Sequence, residues 1–80
     1  MREFMVRFYS FQDIQEFVEL AASESFPILV GDDGYQVSGT SFMSMFSLDH
    51  TKPLRVMLDC SQEEAFEGFR QKAQRFLIHT

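Results

Sequence analysis

The sequence is poor in the residues that do covalent, metal and membrane work. Its 80 residues include one cysteine, two histidines, two prolines and no tryptophan. A single cysteine forms no internal disulfide, and with two histidines beside it the chain cannot close a structural zinc site. No apolar run approaches the ~20 residues of a membrane span. The opening MREFMVRFYS lacks the uninterrupted apolar stretch of a secretory signal, so the cytosol is the expected compartment. Seven Lys and Arg against twelve Asp and Glu give a formal charge of −5. That balance argues against nucleic acid as a partner, which requires a basic footprint. Nothing in the composition calls for a metal or a cofactor.

Apolar residues make up 45% of the chain and charged ones 24%, and ten of the aromatics are phenylalanine. The length suits one domain, over 1–80, which buries only ~60–65% of its unfolded surface. Phenylalanines offset that weakness, since each buries on the order of 150–250 Å².

The local patterns give an element order. Phe4, Val6 and Phe8 alternate with Glu3, Met5, Arg7 and Tyr9, the period of a half-buried strand over 3–9. Ser10 with Asp13 three residues on resembles a capping box. A helix follows from Phe11 to about Ser25, with Ile14, Phe17, Val18 and Ala21 as its apolar stripe. Two short apolar runs flank GDDG, which predicts a hairpin with Gly34 at the positive φ of a primed turn and Pro27 at a strand start or on an edge. A short helix is expected from Ser41 to about Leu48, capped by Thr40 or Ser41. Leu54–Asp59 alternates again. Ser61-Gln62-Glu63-Glu64 opens a last helix, expected to reach about Ile78, with Phe66, Phe69, Ala73, Phe76 and Leu77 facing inward. The order β-α-β-β-α-β-α implies an α+β, two-layer open-faced sandwich, with a four-stranded antiparallel sheet and three helices on one face.

That order resembles HPr, the small phosphocarrier of the bacterial phosphoenolpyruvate-dependent sugar phosphotransferase system. The segment G-T-S-F-M-S-M-F-S-L is similar to the family's Ser-led second helix, GDDGYQVSG to its preceding hairpin, and Phe17-Val18 with Ala21-Ala22 to the body of its first helix. The family's phosphoryl-accepting motif, Gly-hydrophobic-His-x-Arg-Pro, is not matched. Counted back from Phe17-Val18, its His falls on Ser10, its Arg on Gln12 and its Pro on Asp13, and the first 49 residues contain no histidine. The resemblance therefore implies a non-enzymatic HPr-like protein without phosphohistidine chemistry, acting by contact with phosphotransferase-system or catabolite-regulation proteins. It also implies that Ser41, which matches the family's regulatory phosphorylation site, is a modification site; by itself the residue type needs no more than an N-cap.

On a helix of about eight residues Phe42, Met43, Met45 and Phe46 cannot all be buried. Some of Met43, Met45 and Phe46 are expected to be exposed, and the four to form a partner-binding face; the alternative is that these side chains complete a small, Phe-heavy core or a homodimer contact. His50 reads as a solvated loop residue and His79 as a tail residue. Cys60 reads as a structural thiol. The pairs Asp32-Asp33 and Glu63-Glu64 belong to a turn and a helix start. Two further functions stay open: a small-molecule-binding, ACT-like regulatory domain, and a phosphocarrier that uses another residue such as Asp13 or His50.

Overall fold

The computed structural model describes residues 2–78; Met1, His79 and Thr80, and with them the tail reading of His79, lie outside the described residues. Four strands, β1 (Arg2–Val6), β2 (Ile28–Gly31), β3 (Gln36–Ser38) and β4 (Leu54–Leu58), alternate with the helices α1 (Phe11–Ala22), α2 (Phe42–Phe46) and α3 (Glu63–Lys72). The strands form one antiparallel sheet in the order β1-β4-β2-β3. This is the α+β open-faced sandwich expected from the patterns.

Register explains which side is buried. Phe4 pairs with Val56, Val56 with Val30, and Val30 with Val37, so one row of apolar side chains crosses all four strands. Its members face the helices, where Ile14, Phe17, Val18 and Ala21 of α1 are all buried as their spacing predicts. The neighbouring row, Glu3, Met57, Leu29 and Ser38, points to the other side. Met57 is nonetheless buried there. It lies on a central strand, shielded on both flanks.

One hairpin expectation changes. Asp33-Gly34 makes no primed turn, and no described glycine has a positive φ. Instead Asp32 folds the loop with its own side chain, its Oδ1 accepting the Gly34 and Tyr35 N–H groups, both at 2.9 Å. An Asx turn needs no left-handed residue. These N–H donors hold the Asp32 carboxyl below the usual carboxylate range. Gly31 is required for a different reason: a Cβ there would lie 2.0 Å from the Tyr35 carbonyl oxygen.

The last helix is also shorter than its pattern. The α-helix stops at Lys72, passes through a 3₁₀ turn at Gln74–Phe76, and becomes extended at Leu77. The Arg7 N–H donates to the Phe76 carbonyl at 3.0 Å and the Ile78 N–H to the Met5 carbonyl at 3.3 Å. Unpaired donors and acceptors on the outer edge of β1 thus draw the chain out of the helix. At the other end, Gln62 takes the N-cap position with no side-chain cap bond, so the Ser61–Glu64 capping box does not form.

Candidate functional site

The start of α1 is built by its own side chains. Ser10 Oγ accepts the Asp13 N–H at 3.1 Å, and Asp13 Oδ2 accepts the Tyr9 N–H at 3.0 Å. The second bond reaches one residue further back than a capping box does. Asp13 also takes a guanidinium bond from Arg75 at 3.0 Å, and Arg75 pairs with Glu16 as well. A helix N-terminus favours negative charge, and here a carboxylate of the chain already supplies it. A phosphoryl group on Ser10 would arrive beside that like charge.

His50 is half-buried and turned inward, contrary to the solvated loop residue expected. Its Nε2 lies 2.7 Å from the Met45 carbonyl oxygen, which can only accept, so Nε2 carries the hydrogen in the neutral ring. Nδ1 is buried without a partner. The ring stands 5.9 Å from that of Phe8. His50 and Ser10 do come together, as walls of one open cleft of ≈ 380 Å³ that Tyr9, Phe11, Phe46 and Thr51 also line. Neither imidazole nitrogen is placed as a free nucleophile: one is engaged and the other is covered.

Beside the cleft lies a cluster of rings. Phe11, at the first position of α1, is 4.9 Å from Phe46 and 5.5 Å from Phe42 between centroids, and Phe42 is 4.9 Å from Phe46. Phe11 is 61% exposed, Phe46 37%, and Met43, next to Phe42, 81%. Three of the four residues proposed for a partner face, Phe42, Met43 and Phe46, are therefore at or near the surface. Met45 is not: it is fully buried, because it is the one position of α2 that points straight into the sheet core. Phe11 went unassigned in the sequence pattern. It stands three and seven residues before Ile14 and Val18 and so reads as an extension of the core stripe. In space its ring meets Phe42 and Phe46 of α2 instead.

Ser41 occupies the N-cap position of α2, but its hydroxyl makes no cap bond. It donates to Ser44 Oγ at 3.0 Å, while the Ser41 carbonyl accepts the Met45 N–H at 3.0 Å. Thr40 does not cap either; its hydroxyl pairs with Ser38 Oγ at 2.8 Å. The far end of α2 is tied to the hairpin by Tyr35 and Ser47, whose hydroxyl oxygens are 3.1 Å apart.

The remaining candidates have structural places. Cys60 is half-buried against the core. Asp32 forms the turn while Asp33 pairs with Arg55, and Glu63 and Glu64 lie exposed in the first turn of α3. Among the described residues no group of three acids, histidines or cysteines could hold a metal ion, and no helix is long and apolar enough to cross a membrane.

Compared by sequence, the chain matches no family model and no curated protein. Compared by structure, it is similar to the crystal structure of HPr-C-His from Thermoanaerobacter tengcongensis. The TM-score is 0.70 at 19% sequence identity, and 92% of each chain is covered. The chain has an HPr-like fold. Within that fold the cleft, the start of α1 and the ring cluster lie side by side, while Gly31 and Gly34 are accounted for by the hairpin.

Proposed function

We propose that this chain is a divergent HPr-like protein of the sugar phosphotransferase system, without phosphohistidine carrier activity, that acts in the cytoplasm as a regulatory protein–protein interaction module. The observation that carries the reading is the pairing of an exposed ring cluster on α1 and α2 with an α1 start occupied by Ser10 and Asp13. A carrier needs a nucleophile that is free and a phosphate-friendly helix end. Here the helix end holds a carboxylate, and its serine hydroxyl oxygen is committed to a backbone donor. A docking module needs adaptable apolar area at the surface, which Phe11, Phe42, Met43 and Phe46 supply. His50 as a substitute acceptor is disfavoured by the bond of Nε2 to Met45 and the burial of Nδ1.

Ser41 is the proposed point of regulation. Its hydroxyl gives up only a bond to Ser44 when modified, and a phosphate there would add charge beside Phe42 and Met43. The test is incubation with phosphoenolpyruvate and the system's phosphoenolpyruvate-dependent kinase, alongside the family's serine kinase and ATP. No acid-labile phosphohistidine is expected, and Ser41→Ala is expected to abolish any serine phosphate seen by mass spectrometry. A phosphohistidine at His50 overturns the carrier-less reading. A phosphoserine that survives Ser41→Ala removes Ser41 as the regulatory point.

A further inference from the structure

We infer that the face formed by Phe11, Phe42, Met43 and Phe46 docks on a basic protein surface, an apolar socket flanked by lysine or arginine; this rests on the docking role proposed above. Charge placement carries it. Residues 8–51 contain seven acids and no lysine or arginine. All seven cations lie at 2, 7, 52, 55, 70, 72 and 75. The α2 segment 41–48 has no charged residue at all. The solvent side of α1 next to Phe11 is a shallow groove of Gln12, Gln15, Glu16 and Glu19.

Pairing does not cancel this acidity. Arg75 meets both Asp13 and Glu16, while Glu19 has no ion pair among the described residues. Three acids against one cation leave about two negative charges along the rim. At the opposite edge, beside the cleft, charges of the two signs balance, Arg7 and Lys52 standing against Asp32 and Asp49. Arg7 donates to the Thr51 carbonyl at 3.0 Å and stacks on Tyr9 at 5.2 Å, and Lys52 lies 3.8 Å from Asp32. The free charge next to the rings is therefore negative. Rim charges of this kind steer association and select partners more than they add affinity. A second copy of the chain is the poorer occupant, since it would set two acidic rims together.

The test uses three synthetic amphipathic helical peptides of about 18 residues with one leucine face and a polar face of lysine, glutamine or glutamate. Each is titrated into isotope-labelled protein at ~20 mM and ~300 mM salt. The lysine peptide is expected to shift amides around Phe11, Glu19, Met43 and Phe46, to bind about tenfold tighter than the glutamate peptide, and to lose most of that margin in high salt. Glu19→Lys, at an exposed position that leaves folding intact, is expected to narrow the margin several-fold, whereas Met43→Ser weakens all three peptides. Equal binding of the glutamine and lysine peptides, or a margin unchanged by Glu19→Lys, overturns the basic partner and leaves docking standing. So do lysine-peptide shifts that centre on Glu63 and Glu64. If no peptide shifts the Phe11 and Phe46 amides, the docking role itself falls. Concentration-dependent dimerisation that Met43→Ser abolishes gives the face to a second copy and overturns the inference.

Discussion

If the ring cluster on α1 and α2 is a surface and not an extension of the core, truncating Phe11 should cost far less than truncating Phe17. Phe17 has no exposed area, and its ring lies 5.1 Å from Phe8, 5.8 Å from Phe69 and 6.0 Å from Phe76. Phe17→Ala leaves a cavity among three rings and should cost ~3–5 kcal/mol. Phe11 is 61% exposed. It withdraws only about two-fifths of its area from water, ~80 Å² of the ~200 Å² a phenylalanine can bury. At ~25 cal/mol per Å² that is ~2 kcal/mol as an upper value. Alanine retains part of the contact and the denatured chain is already partly compact, so ~1–1.5 kcal/mol should remain.

Urea unfolding followed by far-ultraviolet circular dichroism measures both, since the chain has no tryptophan to report by fluorescence. With a slope of about 1 kcal/mol per molar urea for a small domain, Phe11→Ala should lower the midpoint by ~1–1.5 M. Phe17→Ala should remove most of the folded baseline, because the whole stability of a domain is only ~5–15 kcal/mol. Equal losses from the two variants would show that Phe11 is core, and the docking face would lose its centre.

Three further outcomes follow from local geometry. Ser10→Ala should cost about 1 kcal/mol, because its oxygen holds the Asp13 N–H, while Ser41→Ala should cost a few tenths at most; equal midpoint shifts in urea would contradict the hydrogen bonds assigned to each. The lowered carboxyls of Asp32 and Asp49 contribute stability that is fully present above an unfolded value of ~4 and is lost as pH falls through their lower folded values. Asp32→Asn keeps an oxygen for the turn yet should flatten the loss of stability below about pH 4, and an unchanged acid limb would refute the assignment. Gly31→Ala places a Cβ against the Tyr35 carbonyl and should cost about 2–3 kcal/mol, with faster amide exchange at Gln36; a wild-type midpoint would refute the close approach.

Periodic patterns were legible wherever one face alone decides burial. The stripe of α1 and Val56, Val30 and Val37 of the sheet row are buried as their spacing implies, with Phe4 partly buried against them at the edge. Burial that depends on neighbours was not legible. Met57 alternates correctly to the helix-free side, yet Leu29 and Glu3 beside it remove it from water. The end of α3 escaped for a similar reason, since the backbone of β1 competes for residues 76–78 against the helix. Capping signals were the least transferable. Ser10 caps as read, but Ser41 and Ser61 have the same residue type at the same kind of boundary and do not. A hydroxyl chooses among nearby acceptors and donors, and that choice depends on where the following side chains go. In the site itself, Phe11 was hidden because helical spacing records only the angle around α1, while its exposure depends on what stands opposite it, here the rings of Phe42 and Phe46 on α2.

Seven of the ten phenylalanines therefore fall into two sets by position, not by pattern. Phe8, Phe17, Phe69 and Phe76 meet edge-to-face or tilted in the core, and Phe11, Phe42 and Phe46 form a second set at α2. An inner set answers the need of an 80-residue chain for apolar area. An outer set held at 4.9–5.5 Å between rings, with 37% and 61% of two of its members still in water, gains less from folding than the same rings would gain inside. What it gains is order. Rings already fixed against one another lose little conformational entropy when a partner covers them, which favours their use in contact surfaces. The start of α1 tells the same way: Asp13 fills, with the chain's own carboxylate, the place where a helix would otherwise receive an anion. Both features are what the proposed docking role requires of this end of the molecule: fixed, partly exposed rings beside a helix start that already holds a carboxylate.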